Sequence, residues 1–107
     1  MLRAKRAGME PLNIIDNQQN QQFEIFLEDE RAWLEYRIKD GALYLMHTEV
    51  PEKLGGKGIA SALAAHGLNY ARAHHMRVKA YCPFVVTWLK RHPEQMDIVI
   101  PPHEERS

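Results

Sequence analysis

Apolar positions change their spacing once along this chain, near Gly58. Before it they alternate or sit in short blocks, and after it they recur every three or four residues. Residues 12–15 form a first strand candidate, closed by the polar run Asp16-Asn17-Gln18-Gln19-Asn20, which reads as a hairpin turn. Residues 22–27 alternate in part, and residues 32–38 alternate around Leu34, Tyr36 and Ile38, so both are expected as strands. Asp40-Gly41 is a two-residue hairpin signal joining the latter to a strand over residues 42–50. From residue 58 to about 75, Ala60, Leu63, Ala64, Gly67, Leu68 and Ala71 mark one face of an amphipathic helix. That face is mostly small, so the helix can lie close to a sheet. Residues 77–82 are short and β-like, and Pro83 suits the first turn of a second helix over about 84–92, which Pro93 stops. Residues 97–100 predict a last short strand. The pattern as a whole predicts an α+β sandwich: one mainly antiparallel sheet with two helices packed on it.

The length of 107 residues suits one domain with a modest core, placed at residues 11–100. Residues 1–10 are read as a disordered extension and residues 101–107 as a flexible tail. Met1 to Gly8 is basic but has no apolar stretch of a secretory signal, and Met9 is a second candidate start. Lys plus Arg and Asp plus Glu number 14 each, which disfavours electrostatic capture of nucleic acid or an anionic membrane. No apolar run approaches the ~18 residues of a membrane span. Cys82 is the single cysteine, so no intrachain disulfide can form. A reducing, cytoplasmic compartment is the expectation, with the chain a monomer or weak dimer.

The richest chemistry lies at Leu54-Gly55-Gly56-Lys57-Gly58-Ile59-Ala60-Ser61, between the strand at 42–50 and the long helix. Glycines there let backbone N–H groups approach a ligand. The first N–H groups of a helix lack internal partners and sit at the positive end of its dipole, so the loop is a candidate phosphate site. It is not a P-loop, because Lys57 stands between Gly56 and Gly58 with no hydroxyl after it. It is a poor dinucleotide fingerprint as well, since Ser61 takes the third small position and no repeated βαβ unit follows. The plainer reading is a tight turn that needs glycine for its bend.

His47 and Glu49 are two apart on a strand and share a face. A zinc deaminase would need Pro-Cys-x-x-Cys downstream, whereas here the order is Cys82-Pro83 with no second cysteine. No ligand spacing specifies a metal. Cys82 precedes a helix, where the dipole stabilises a thiolate; the alternative is a small core residue. Phe84, Val85, Trp88 and Leu89 are expected to bury the second helix. Lys90, Arg91 and His92 suit the negative end of its dipole and are also able to meet phosphates.

Taken together, His47-Thr48-Glu49-Val50-Pro51, Gly56-Lys57-Gly58-Ile59-Ala60-Ser61, Tyr81-Cys82-Pro83-Phe84-Val85 and Lys90-Arg91-His92-Pro93 resemble the small YjdJ-type branch of the GNAT N-acetyltransferases. The resemblance covers residues 12–100. It implies a minimal GNAT fold with acetyl-CoA in a V-shaped opening between two splayed parallel strands, those ending at Val50 and at Cys82. The superfamily's phosphate motif, Gln/Arg-x-x-Gly-x-Gly/Ala, falls on Lys53-Leu54-Gly55-Gly56-Lys57-Gly58. Lys53 departs from it, and Gly55 stands where this branch usually has arginine. These departures touch a side-chain contact to phosphate and leave the backbone cradle in place.

By the same resemblance, Val50 pairs its backbone with the pantetheine arm, residues Gly55, Gly56, Lys57, Gly58, Ile59, Ala60 and Ser61 hold the pyrophosphate, and Thr48, Leu54, Lys90 and His92 add contacts to the cofactor. The implied reaction is attack of a neutral amine, from a protein or a small molecule, on the thioester. It needs a base to take the amine proton and donors for the developing oxyanion. His47, or Glu49 through water, is the candidate base. Cys82 is the counterpart of a family cysteine near the acetyl group, as an acid, a nucleophile or a neighbour. The two helices that follow the first strand in larger GNAT enzymes are lacking, which implies an open acceptor side. Two other readings stay open: a non-catalytic acyl-CoA-binding module, and a small adaptor using the aromatic face of Phe84 and Trp88.

Overall fold

The computed structural model describes residues 12–101. The expected extension at 1–10, and all but the first residue of the expected tail, lie outside the described residues. Among the described residues five strands, β1 (Ile14–Asn17), β2 (Gln22–Leu27), β3 (Glu30–Lys39), β4 (Ala42–Glu49) and β5 (Arg77–Ala80), form one sheet in the order of the chain. The first three pairings are antiparallel, while β4 and β5 run parallel. The parallel connection carries helix α1 (Ile59–Ala73), and α2 (Pro83–Lys90) follows β5. The α+β architecture is the one the spacing of apolar residues calls for.

β1 lies two residues later than expected. Asp16 and Asn17 continue the ladder opposite Phe23 and Gln22 because their side chains find partners. Asp16 accepts from the Tyr36 hydroxyl at 2.6 Å, and Asn17 donates to Glu24 at 3.0 Å. The Asp40-Gly41 turn has φ of 53° and 76°, the doubly positive pair that a two-residue hairpin needs.

Alternation along the strands sends Phe23, Ile25, Leu34, Tyr36, Leu43, Leu45 and Val78 to one face, where they form a single core with both helices. On α1 the expected stripe is buried at Leu63, Ala64, Gly67, Leu68 and Ala71, but Ala60, expected at its start, is only half-buried and Ile59 is buried instead. At Gly67 an added Cβ would lie 3.3 Å from both methyl groups of Leu45. The missing side chain lets the helix axis approach β4 at the level where β4 and β5 separate. The opposite face contributes no residue to this core, and Ile15, Phe26 and Tyr81 stand exposed on it. No described helix is long and apolar enough to cross a membrane.

The last expected strand, over residues 97–100, does not form. Instead Pro93–Ile98 is a 3-10 helix, and beyond it, among the described residues, only Val99 makes a parallel bridge, to Val78. Pro93 favours the helical turn, and Arg72 at the end of α1 holds the segment from outside. Its guanidinium donates to Asp97 at 2.6 and 2.9 Å and to Gln95 at 3.0 and 3.3 Å. These bonds tie the segment to α1 in place of a ladder along β5.

Candidate functional site

β4 and β5 pair from Ala42 opposite Arg77 as far as Leu45 opposite Ala80, and there they part. The carbonyl of Leu45 accepts from the N–H of Tyr81 at 2.9 Å and of Cys82 at 3.0 Å, which marks the apex of the opening. Past it, among the described residues, the edge of β4 that faces the departing chain has no strand partner. On the other side of β4, Glu35 faces His47 but Tyr36 faces Leu45, so Met46 is an extra residue in a β-bulge. A bulge bends and twists its strand, which helps to turn β4 from β5 at this level.

The bulge also sets which way the side chains beyond it point. Thr48 and Val50 face the helices, while His47 and Glu49 face the open side of the sheet. The Cys82 thiol is buried on the helix side, with Sγ 3.1 Å from Thr48 Oγ1. His47 Nε2 lies 2.8 Å from Glu49 Oε1, both side chains being more than half exposed. The three candidate catalytic residues therefore surround the apex but divide between its two faces. Among the described residues no third ligand joins His47 and Glu49 in a metal-binding group.

From the open end of β4 the chain turns through Pro51 and a 3-10 turn, Glu52–Leu54, into the glycine loop. Leu54, completely buried, anchors the loop in the core. Gly56 has φ 77°, and Gly58, the residue that caps α1, has φ 75° and ψ 16°. No side chain caps α1 and its first turn has no acidic residue. The first helical N–H groups are thus left to the loop's cleft. That cleft has a volume of about 390 Å³ and is lined by every residue from Leu54 to Ser61 except Lys57, with Val50, Pro51 and Glu52 on one side and Phe84 on the other.

Several expected contacts lie elsewhere. Lys57 reaches away from the cleft to Glu28, at 3.1 Å. Lys90 lines a separate apolar cavity of about 300 Å³ between α2, the 3-10 segment and Ala80. His92 stacks on Trp88 at 4.0 Å, and its Nδ1 lies 2.8 Å from the Trp88 carbonyl. Trp88 is 6% exposed, so Phe84 and Trp88 do not make the shared aromatic surface that an adaptor reading would use.

These features, a parallel pair that opens beside an uncapped, glycine-led helix, agree with the comparisons to known proteins. The profile of the GCN5-related N-acetyl-transferase family matches residues 22–98. The chain belongs to this family. Within it, the chain is 29% identical over 86 residues to protein NATD1 of Mus musculus, covering 78% of each chain. It is 28% identical over 86 residues to NATD1 of Homo sapiens, covering 78% of this chain and 76% of that protein. The NMR solution structure of a GCN5-like protein from Staphylococcus aureus shares the fold, with a TM-score of 0.67 and 23% identity. The match covers 92% of this chain and all of that one.

One wall of this GCN5-related cleft escapes the sequence reading. Phe84 was expected to bury α2, yet it is 37% exposed and flanks the cleft. The buried stripe of α2 is Val85, Trp88 and Leu89, at spacings of three and four that leave Phe84 to one side. That spacing is the signal from which its position was legible.

Proposed function

We propose that the protein is an acetyl-CoA-dependent N-acetyltransferase acting on an amine acceptor. The observation that carries this reading is the continuity of one path: the uncapped N-terminus of α1, the glycine loop, and the unpaired edge of β4 as far as the apex at Leu45. The residues present suit the cofactor. Orphan N–H groups of Ile59, Ala60 and Ser61, with Gly56 and Gly58 beside them, offer donors to a pyrophosphate; the first turn of α1 carries no carboxylate, and Glu52 is the acidic residue that lines the cleft. An added Cβ at Gly56 would meet nothing within 4 Å, so the loop leaves open space there. Val50 and Phe84 supply apolar walls for the pantetheine arm.

Acetyl-CoA would supply an activated acetyl group at the apex. The His47–Glu49 pair is the proton acceptor in this reading, because it stands exposed beside the apex on the face open to an acceptor. Glu49 orients the imidazole through its 2.8 Å contact with Nε2. In this reading Cys82 is a neighbour of the acetyl group: its thiol is buried with Sγ 3.1 Å from Thr48 Oγ1, which suits a packing or orienting part better than a freely accessible nucleophile.

Isothermal titration with acetyl-CoA tests the first step, and heat of binding in the micromolar range is expected. No binding at high micromolar cofactor would refute the reading. A non-catalytic acyl-CoA-binding module would use the same cleft. It is favoured only if binding is present while a panel of amines yields no acetylated product by mass spectrometry.

A further inference from the structure

The face of the sheet turned away from the helices is divided by charge. Across its middle, Arg37 on β3, Tyr44 on β4 and Lys79 on β5 stand in one row of paired positions. Lys39 follows Arg37 on the same face of β3. Among the described residues, none of these three cations forms an ion pair, whereas Arg31, farther along β3, is taken by Glu24. Arg37 donates to the Tyr36 carbonyl, and Lys79 Nζ lies 5.2 Å above the ring of Tyr44. In the other direction along β3, Glu35 stands opposite His47, and Glu49 is bonded to His47. One end of the face is therefore acidic and carries the His47–Glu49 pair, and the other is basic.

This arrangement bears on what reaches the apex. On the helix side the apex is closed by Cys82, 2% exposed, and by the core beneath it. The glycine-loop cleft opens beside α1 and would be filled by the cofactor. The remaining approach is over the open face, past Tyr81 and Tyr44, whose rings stack with centroids 5.9 Å apart.

We infer that the acceptor is an acidic peptide segment that presents a primary amine to His47 and Glu49 and lays its carboxylates on Arg37, Lys79 and Lys39. A rise of about 3.4 Å per residue puts Arg37 about 7 Å and Lys39 about 14 Å from the Glu35–His47 row. An extended peptide spans these intervals in two and four residues. The acidic end attracts the ammonium form of the arriving amine, and the basic end sets the direction of the chain. A single-stranded nucleic acid is the competing polyanion, but it needs free aromatic faces for its bases. Tyr44 has Lys79 over its ring, the half-exposed Tyr81 is stacked against Tyr44, and the exposed Phe26 lies apart on β2, so these rings form no run along the cations, which favours the peptide. The inference rests on the proposed acetyl transfer for the role of the amine, while the surface itself is testable without it.

The test is fluorescence anisotropy on the whole chain, with and without acetyl-CoA. Three labelled probes are used: a peptide with one lysine followed by a glycine and three glutamates, its counterpart with arginines in place of the glutamates, and an oligothymidylate. Expected are saturable binding of the glutamate peptide, none of the arginine peptide, and a loss of affinity as salt is raised. The double variant Arg37→Glu with Lys79→Glu should weaken binding roughly tenfold or more, and the milder Arg37→Gln with Lys79→Gln by a smaller factor in the same direction. Circular dichroism of both variants reports their folding. Equal binding of the two peptides, no effect of either folded double variant, or tighter binding of oligothymidylate would each overturn the inference. If the glutamate peptide fails while acetyl-CoA still binds, the surface is wrong and the cofactor reading stands. If the peptide binds and acetyl-CoA does not, the reverse holds.

Discussion

Replacing Gly58 by alanine separates what the glycine loop does for folding from what it does for binding. Gly58 holds φ 75° and ψ 16° at the start of α1, and its carbonyl accepts the first helical bond, from Ala62 at 3.0 Å. An alanine there meets the left-handed penalty of about 1–2 kcal/mol, because its Cβ crowds the backbone carbonyl. Neither residue has a side chain able to cap the helix, so the comparison isolates φ. For a domain of this size the penalty lowers the melting temperature by roughly 5–15 °C. Asparagine tolerates this region better, so Gly58→Asn should melt between the two. If alanine relaxes to negative φ instead, the loop's N–H groups turn from the cleft. The loss of one charge-assisted hydrogen bond to phosphate, about 1.5–3 kcal/mol, then lowers acetyl-CoA affinity about ten- to a hundredfold. Thermal unfolding by circular dichroism and calorimetric titration read the two effects separately. An alanine variant that melts with the wild type, or an asparagine variant that melts no higher than alanine, would refute the argument from φ.

The buried Cys82 thiol should react with iodoacetamide far more slowly in the native protein than in urea, followed by intact mass; equal rates would mean that the thiol is open to the acceptor side. His47→Ala should lower kcat by a factor of about 10²–10⁴ and leave the acetyl-CoA Kd unchanged, since His47 lies outside the loop cleft. A parallel loss of cofactor affinity would argue against its assignment as the base. Burial holds the His66 imidazole below its ordinary 6.5, with Asp16 pulling weakly the other way. As pH falls, the unfolded chain takes up this proton first, so stability is intact above about 6.5 and declines below it until the folded imidazole protonates. His66→Gln should flatten that part of the curve in urea unfolding, and an unchanged slope would contradict the burial argument. Gly67→Val should destabilise the fold by about 1–3 kcal/mol, because its methyl groups enter space already held by Leu45 and Leu34. Denaturant midpoints measure it, and no loss would mean that α1 can move off the sheet.

Much of the fold was legible because burial on one face imposes period two on strands and period 3.6 on helices. β2 matches its expected limits, residues 22–27, and the stripe of α1 from Leu63 to Ala71 is the one buried. The misreadings share a cause. Polar side chains at Asp16, Asn17, Gln95 and Asp97 were read by their usual preference for turns or exposure, or passed over for the apolar residues beside them. Each is governed instead by a specific partner on another element: Tyr36, Glu24 and Arg72. Spacing rules describe how a segment meets the core, and they carry no information about such pairings.

The candidate site shows the same limit at finer scale. The position of the loop from Leu54 to Ser61, between β4 and α1, was legible because clustered glycines and a following helical period mark it. Which face each residue of β4 presents was not legible across the bulge, since one extra residue at Met46 reverses the alternation set by Leu43 and Leu45. Counted without the bulge, His47 would share the buried face of Leu45. The bulge sends it outward with Glu49 and puts Thr48 on the side of Cys82. An exposed His47–Glu49 pair and a Thr48 hydroxyl beside the enclosed Cys82 thiol thus both follow from one inserted residue. The same insertion stands at the level where β4 leaves β5, so the opening and the placing of the side chains around it have one structural origin.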